Sequence, residues 1–130
     1  MNGVLRLLEK DRYAKLTGIE LVEVAEGRAK ARLKISDQHL NGVGIAHGGA
    51  IFTLADFVFA AASNSHETIA VAINVSISYL KAVFMGTLVA EAQEVAINPK
   101  LASYSVQVRD ESGDLVAIFQ GMAYRKKDPV

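Results

Sequence analysis

Residues 47 to 63 read HGGAIFTLADFVFAAAS, an apolar helix-forming run that carries one acidic side chain, Asp56. A carboxylate placed among such neighbours costs several kcal/mol when unpaired, or it titrates to neutral. Two roles repay that cost. Asp56 can accept a hydrogen bond from a facing hydroxyl at a wet crevice, or it can do chemistry as a nucleophile or general base. The glycine pair ahead of it, Gly48 and Gly49, bears on the choice. At a helix start, glycines leave backbone N–H groups free beside the positive end of the helix dipole, which suits a carbonyl oxygen that becomes an oxyanion. Flexible capping is the plainer role for the same pair.

Asp56 and Gly48 stand eight positions apart. At about 1.5 Å rise per residue that is roughly 12 Å along a helix, so one acyl carbon cannot touch both within one chain. If both act on one substrate, the carboxylate comes from one subunit and the glycine amide from another, across two antiparallel helices of a two-fold dimer.

The elements that must position these groups follow from periodicity. Residues from Gly3 to Leu16 have helical spacing (Val4, Leu7, Leu8, Tyr13, Leu16) and predict one short covering helix ended by Gly18. Two extended segments, Ile19 to Glu26 and Arg28 to Ile35, flank Gly27. The second alternates Ala29, Ala31, Leu33 and Ile35 against Arg28, Lys30, Arg32 and Lys34, a hairpin strand with one wet face. Residues 37 to 49 are a loop in which Gly42 and Gly44 mark a turn, and the long helix runs from Gly48 to Ser63. Strands follow over Thr68 to Leu80, Thr87 to Ile97, Leu101 to Arg109 and Leu115 to Tyr124, with Asn98, Pro99 and the stretch DESGD as turns. The connections after the helix are too short for parallel crossovers. The expected fold is therefore α+β, one domain over residues 1 to 130, with an antiparallel sheet wrapped around one central helix. Phe52, Phe57 and Phe59 fit core packing, and they also suit the lining of an acyl pocket.

Composition narrows the function. Fourteen basic and fourteen acidic side chains cancel, which removes the long-range attraction to phosphate polymers and anionic membranes; neither nucleic acid nor membrane is expected as a partner. With no cysteine there is no disulfide, thiolate metal site or cysteine nucleophile. The N-terminal apolar stretch is too short for a signal peptide, so a cytoplasmic location is expected. His39 and His66 lack companions at metal spacing, and no metal is expected. Arg125 to Lys127 reads as a soluble tail.

The pattern N-x5-HGG-x6-D, filled by Asn41, His47, Gly48, Gly49 and Asp56, together with the later SISYLK, resembles the hotdog-fold acyl-CoA thioesterases of the phenylacetic-acid-degradation type. The resemblance runs from about Gly18 to Tyr124. It implies a dimer, usually a dimer of dimers, that hydrolyses an aryl- or medium-chain acyl-CoA thioester, with coenzyme A entering as part of the substrate and no separate cofactor. Carried over by position, Asp56 is the nucleophile or the base that activates water. The Gly48 amide of the neighbouring subunit polarises the carbonyl, with Gly49 beside it at the substrate. Asn41 orients water or the thioester, and His47 holds the loop that aims the glycines. Some relatives place a hydroxyl residue on the strand after the helix, where this chain has Ala72; Asn74, Ser76 and Ser78 are expected on the same face, with Asn74 as the substitute. Lys81 and Lys100 are candidate ligands for the phosphates of coenzyme A. Two other functions fit the same residues. A hotdog-fold enoyl-CoA hydratase would pair His47 with Asp56, and a non-catalytic acyl-CoA or fatty-acyl binding module would need no turnover.

Overall fold

The computed structural model describes all 130 residues. In chain order its elements are α1 (Asn2–Glu9), α2 (Arg12–Thr17), β1 (Glu20–Ala25), β2 (Arg28–Ile35), a 3-10 turn (Asp37–His39), α3 (Gly48–Ser63), β3 (Thr68–Tyr79), β4 (Gly86–Ile97), β5 (Leu101–Arg109) and β6 (Leu115–Pro129). The six strands form one sheet in the order β1-β2-β4-β5-β6-β3, and every neighbouring pair is antiparallel. The α+β architecture expected from the sequence, a sheet curled about one helix, is the one observed.

The alternation of β2 explains how the sheet meets α3. Ala29, Ala31, Leu33 and Ile35 are buried, and Arg28, Arg32 and Lys34 lie exposed on the opposite face. Small β2 side chains let the helix approach closely, and the helix fills the concave face with Leu54, Val58 and Phe59. Phe59 packs edge-on against Tyr104 and tilted against Phe119, with ring centroids 5.7 and 5.6 Å away. Its ring lies over Gly121 of β6, where a Cβ would come within 2.7 to 2.9 Å of three ring carbons. A side chain there is excluded by the packing.

Three expectations are corrected. The predicted single helix over Gly3 to Leu16 is two helices, because Asp11 takes the Ala14 N–H at 2.9 Å and caps a new start; a competent side-chain cap competes with helix continuation. The expected tail from Arg125 to Lys127 lies within β6, which continues to Pro129 by pairing with the start of β3. Hydropathy hides this, because the last turn of pairing carries charged, exposed side chains. On β3, the register passes from Ala72↔Ala123 to Asn74↔Met122. One residue of β6 thus faces two of β3, a bulge at Ile73 that reverses the facing of everything after it. Ala123 is buried and Met122 is exposed. Asn74, Ser76 and Ser78 therefore share one face with each other, away from α3, and Ala72 lies on the opposite face.

No helix is long and apolar enough to cross a membrane. The contact of Phe59 with Gly121 gives a test of the core. Gly121→Ala is expected to destabilise the protein by about 1–3 kcal/mol, the ordinary cost of overpacking, read as a lower urea midpoint at unchanged m-value.

Candidate functional site

The loop before α3 is held from both ends. His39 is buried; its Nδ1 accepts the Ser36 N–H at 2.9 Å, and its Nε2 donates to the carbonyl of Thr17. Both ring nitrogens are thereby committed, in the tautomer protonated at Nε2. Its carbonyl accepts the His47 N–H at 2.7 Å, and the Ala46 N–H reaches the Val83 carbonyl at 2.7 Å. Asn41 closes the loop on itself. Its Oδ1 accepts from Val43 and Ile45, while its backbone N–H donates to the Ile45 carbonyl. The Asn41 carboxamide oxygen is thus a loop fastener, and the Nδ2 amide is the part of the side chain left without a partner in the chain.

At the first turn of α3 the four leading N–H groups are distributed unequally. His47 is the N-cap: its Nδ1 accepts the Gly49 N–H at 2.8 Å, and its carbonyl accepts from Ala50 and Ile51. The Gly49 amide, expected at the substrate, is therefore already engaged. The Gly48 N–H, at the first helical position, has no intrahelical acceptor and none in the loop. Of the glycine pair, one donor remains free beside the positive end of the dipole.

Asp56 stands on the side of α3 that the sheet leaves open. Gly49, Thr53, Asp56 and Ala60 follow one another at helical spacing, each at least partly exposed, while Leu54, Ala55, Phe57, Val58 and Phe59 are buried. The carboxylate is half-buried and takes no hydrogen bond within the chain. Burial pushes its pKa up from the ordinary aspartate value, and the negative charge of Asp11 pushes it further. Thr53, one turn back, does not serve it, because its hydroxyl donates to the Gly49 carbonyl at 2.7 Å. Donors for the charged form must come from outside the chain.

Two clefts flank the helix start. One, of about 330 Å³, is bounded by Asn41, Ile45, Gly48, Ile51, Tyr79 and Val83. The other, of about 320 Å³, lies between Tyr13 and Leu16 of α2 and His47, Gly49 and Thr53.

The remaining candidates are dispersed. Lys81 donates to Asp110 at 2.6 Å and to Asp114 at 2.7 Å. With two carboxylates on it, this cation holds the β5–β6 turn and is not free for a phosphate. Lys100 precedes β5 and Asp110 follows it, so the two lysines sit at opposite ends of the sheet, roughly 30 Å apart at about 3.3 Å per residue. Asn74 faces away from α3, on the sheet surface shared with Ser76, Gln120 and Met122. No cluster of three or more His, Cys, Asp or Glu side chains is arranged to hold a metal. His66, which lacked a companion at metal spacing, instead bonds Glu94 at 2.6 Å.

Two residues that the sequence reading passed over belong to the site. Asp11, the cap of α2, acts on Asp56 by charge, and its sequence signal is the acidic residue where the first helix breaks. Tyr79, at the end of β3, donates its hydroxyl to the Gly48 carbonyl at 2.9 Å. Nothing in its spacing announces that contact.

Comparison with known proteins bears on the fold and the family. A protein of Archaeoglobus fulgidus, named no further than as a candidate esterase, is 42% identical over 120 residues, covering 92% of this chain and 78% of that protein. The acyl-coenzyme A thioesterase PaaI of Escherichia coli is 36% identical over 92% of this chain and 86% of its own length. The solved structure of that PaaI, from the phenylacetic acid degradation operon, superposes with a TM-score of 0.95 at 33% identity, over 98% of this chain and 94% of the other. A Streptococcus mutans protein crystallised with acetyl CoA superposes with a TM-score of 0.82 at 28% identity, covering 87% of this chain and 92% of its own. The thioesterase superfamily profile matches residues 43–117, from the glycine loop through the last strand's start. The chain has the hotdog fold and belongs to the thioesterase superfamily.

Proposed function

We propose that this protein is an acyl-CoA thioesterase that hydrolyses an aryl- or medium-chain acyl-CoA to the free acid and coenzyme A. The observation that carries the reading is two groups on one helix with no hydrogen-bond partner within the chain, the Gly48 N–H and the Asp56 carboxylate. Similarity to the E. coli thioesterase and to the acetyl-CoA-bound S. mutans protein supports coenzyme A as the thiol of the substrate.

In this mechanism the thioester oxygen sits at the Gly48 N–H, and charge growing on it is stabilised by that donor and by the helix dipole. Asp56 either removes a proton from the water that attacks the carbonyl carbon or attacks that carbon itself, giving an anhydride that water then opens. In both routes the C–S bond breaks and the coenzyme A thiolate leaves and is protonated. Water balances the reaction, and no further cofactor enters it. His47 contributes by keeping Nδ1 unprotonated to hold Gly49, which leaves Gly48 as the donor.

The separation of about 12 Å along α3 requires that Asp56 and Gly48 of one site come from different subunits. The two edges of the sheet differ in a way that favours this assembly. β1 is six residues long, bulged and carries Glu20 and Glu23, the features of a protected edge. β3 is twelve residues long without one charged side chain, and a second copy's β3 is the natural partner for its unpaired backbone, building a dimer or a dimer of dimers.

Replacing Asp56 with Asn is expected to lower kcat by about 100-fold or more with the melting temperature maintained. The check is thiol release from phenylacetyl-, benzoyl- and medium-chain acyl-CoA; a variant rate within about tenfold of the parent removes Asp56 from the mechanism. The same assay tests the charge on Asp56. Its raised pKa places the acid limb of kcat/KM above the ordinary aspartate range. Asp11→Asn keeps a competent cap but removes a negative charge, so Asp56 ionises more easily and the limb moves to lower pH. An unmoved limb refutes the coupling.

A further inference from the structure

Gly48 has a backbone that does not call for glycine. Its φ lies outside the left-handed region occupied by Gly18, Gly27, Gly44, Gly86 and Gly113. What crowds a side chain there is Tyr79. A Cβ on Gly48 would lie 3.1 Å from the Tyr79 Cζ and 3.2 Å from its hydroxyl oxygen. The ring is half exposed, and withdrawing it costs the bond from its hydroxyl to the Gly48 carbonyl at 2.9 Å. Partial burial pushes the Tyr79 phenol up from its ordinary value, which keeps it protonated as a donor.

The contact matters because of where it falls in the chain. The Gly48 N–H lies in the peptide plane it shares with the His47 carbonyl, and the plane after Gly48 joins that one at Cα, so a hold on the second plane restrains the first through the two Gly48 torsions. The plane before it is fixed through the His47 carbonyl, which accepts from Ala50 at 2.9 Å and Ile51 at 3.3 Å. The plane after it is held at both ends: the Gly49 N–H bonds His47 Nδ1 at 2.8 Å, and the Gly48 carbonyl receives Tyr79. Glycine has the widest conformational range of any residue, yet at this position both neighbouring planes are pinned. Without the Tyr79 hydroxyl, the second plane retains only the His47 contact and the intrahelical bond.

We propose that Tyr79 is the positioning residue of the site. From the last position of β3 its ring covers Gly48 and its hydroxyl holds the Gly48 carbonyl, so the free N–H points in one direction. A preorganised donor stabilises a developing oxyanion without reorganising at the moment of reaction, which is where its catalytic value lies. β3 is also the strand with the unprotected edge, so the residue that orders the donor ends the very strand offered to a second copy. The effect on turnover rests on the thioesterase reading; the clamp itself does not.

Two measurements test it. Tyr79→Phe removes one oxygen and keeps the ring, and it is expected to lower kcat for acyl-CoA hydrolysis by about tenfold while KM changes little, the pattern of a contact that matters in the transition state. An unchanged kcat, or a loss confined to KM, overturns the positioning role. Independently of turnover, Gly48→Ala is compared in the parent and in a Tyr79→Ala background by thermal unfolding. The clamp requires the alanine to be tolerated better once the ring is gone, because helix propensity favours alanine and only the ring opposes it. Equal effects in both backgrounds overturn the clamp. If the parent releases no thiol from any acyl-CoA, the thioesterase reading fails, and the stability comparison alone then decides the clamp.

Discussion

The enclosure of α3 by a single curved sheet is the constraint from which the remaining features follow. A helix apolar nearly all round cannot remain half exposed, so strands must close over it, and close approach selects small residues where they meet: Ala29 and Ala31 on β2, Ala90 and Ala92 on β4, Gly121 beneath Phe59. Each fully buried Leu, Val or Phe contributes about 1.5–3 kcal/mol. A one-layer sheet cannot cover the whole circumference of a helix. It leaves its N-terminus and one stripe uncovered, and those places hold Gly48 and Asp56. The arrangement that gives the fold its core therefore also decides where polar groups can stay unsatisfied.

The two ends of α3 contrast in this respect. At the C-terminus, Asn64 donates to the Ala60 carbonyl and accepts from Ala70, and Ser65 donates to Ala62 while accepting from Gly27. His66 and Tyr104 both donate to Glu94, at 2.6 and 2.7 Å. Burial pushes the Glu94 carboxyl up, but these two donors outweigh it and hold the group below its ordinary value. That end is sealed. At the other end, the loop closes on itself through Asn41 and His47 and leaves the Gly48 N–H free. A protein that satisfies its polar groups so fully at one helix terminus and leaves a donor at the other departs from the general rule at the end where the proposed chemistry takes place.

Much of this was legible in the residues. The alternation of β2 and the bounds of α3 followed from periodicity, because burial on one face imposes a pattern. The N-x5-HGG-x6-D spacing located the loop and the helix carboxylate, and the geometry of a helix separated them. What escaped was set by pairing between distant segments. The bulge at Ile73 reverses the face of Asn74, and only the register against β6 reveals it. Lys81 appeared as a free cation because Asp110 and Asp114 lie 29 and 33 residues away in sequence. The end of β6 is charged and exposed, so hydropathy could not extend it. Gly49 appeared equivalent to Gly48 until the His47 ring was seen to take its N–H.

That last distinction explains why a histidine precedes the glycines. A serine or aspartate cap ordinarily bonds the N–H at the second or third helical position. His47 Nδ1 does the same at Gly49, and as a neutral acceptor it adds no negative charge beside the neighbouring donor. An aspartate cap would set a full charge next to the Gly48 N–H, competing for it and repelling an oxygen that is becoming negative. With imidazole as the cap, the helix start is satisfied while its positive potential remains directed at whatever oxygen approaches Gly48. The acidic group that the proposed chemistry requires is kept about 12 Å further along the helix, where it cannot quench its own subunit's donor.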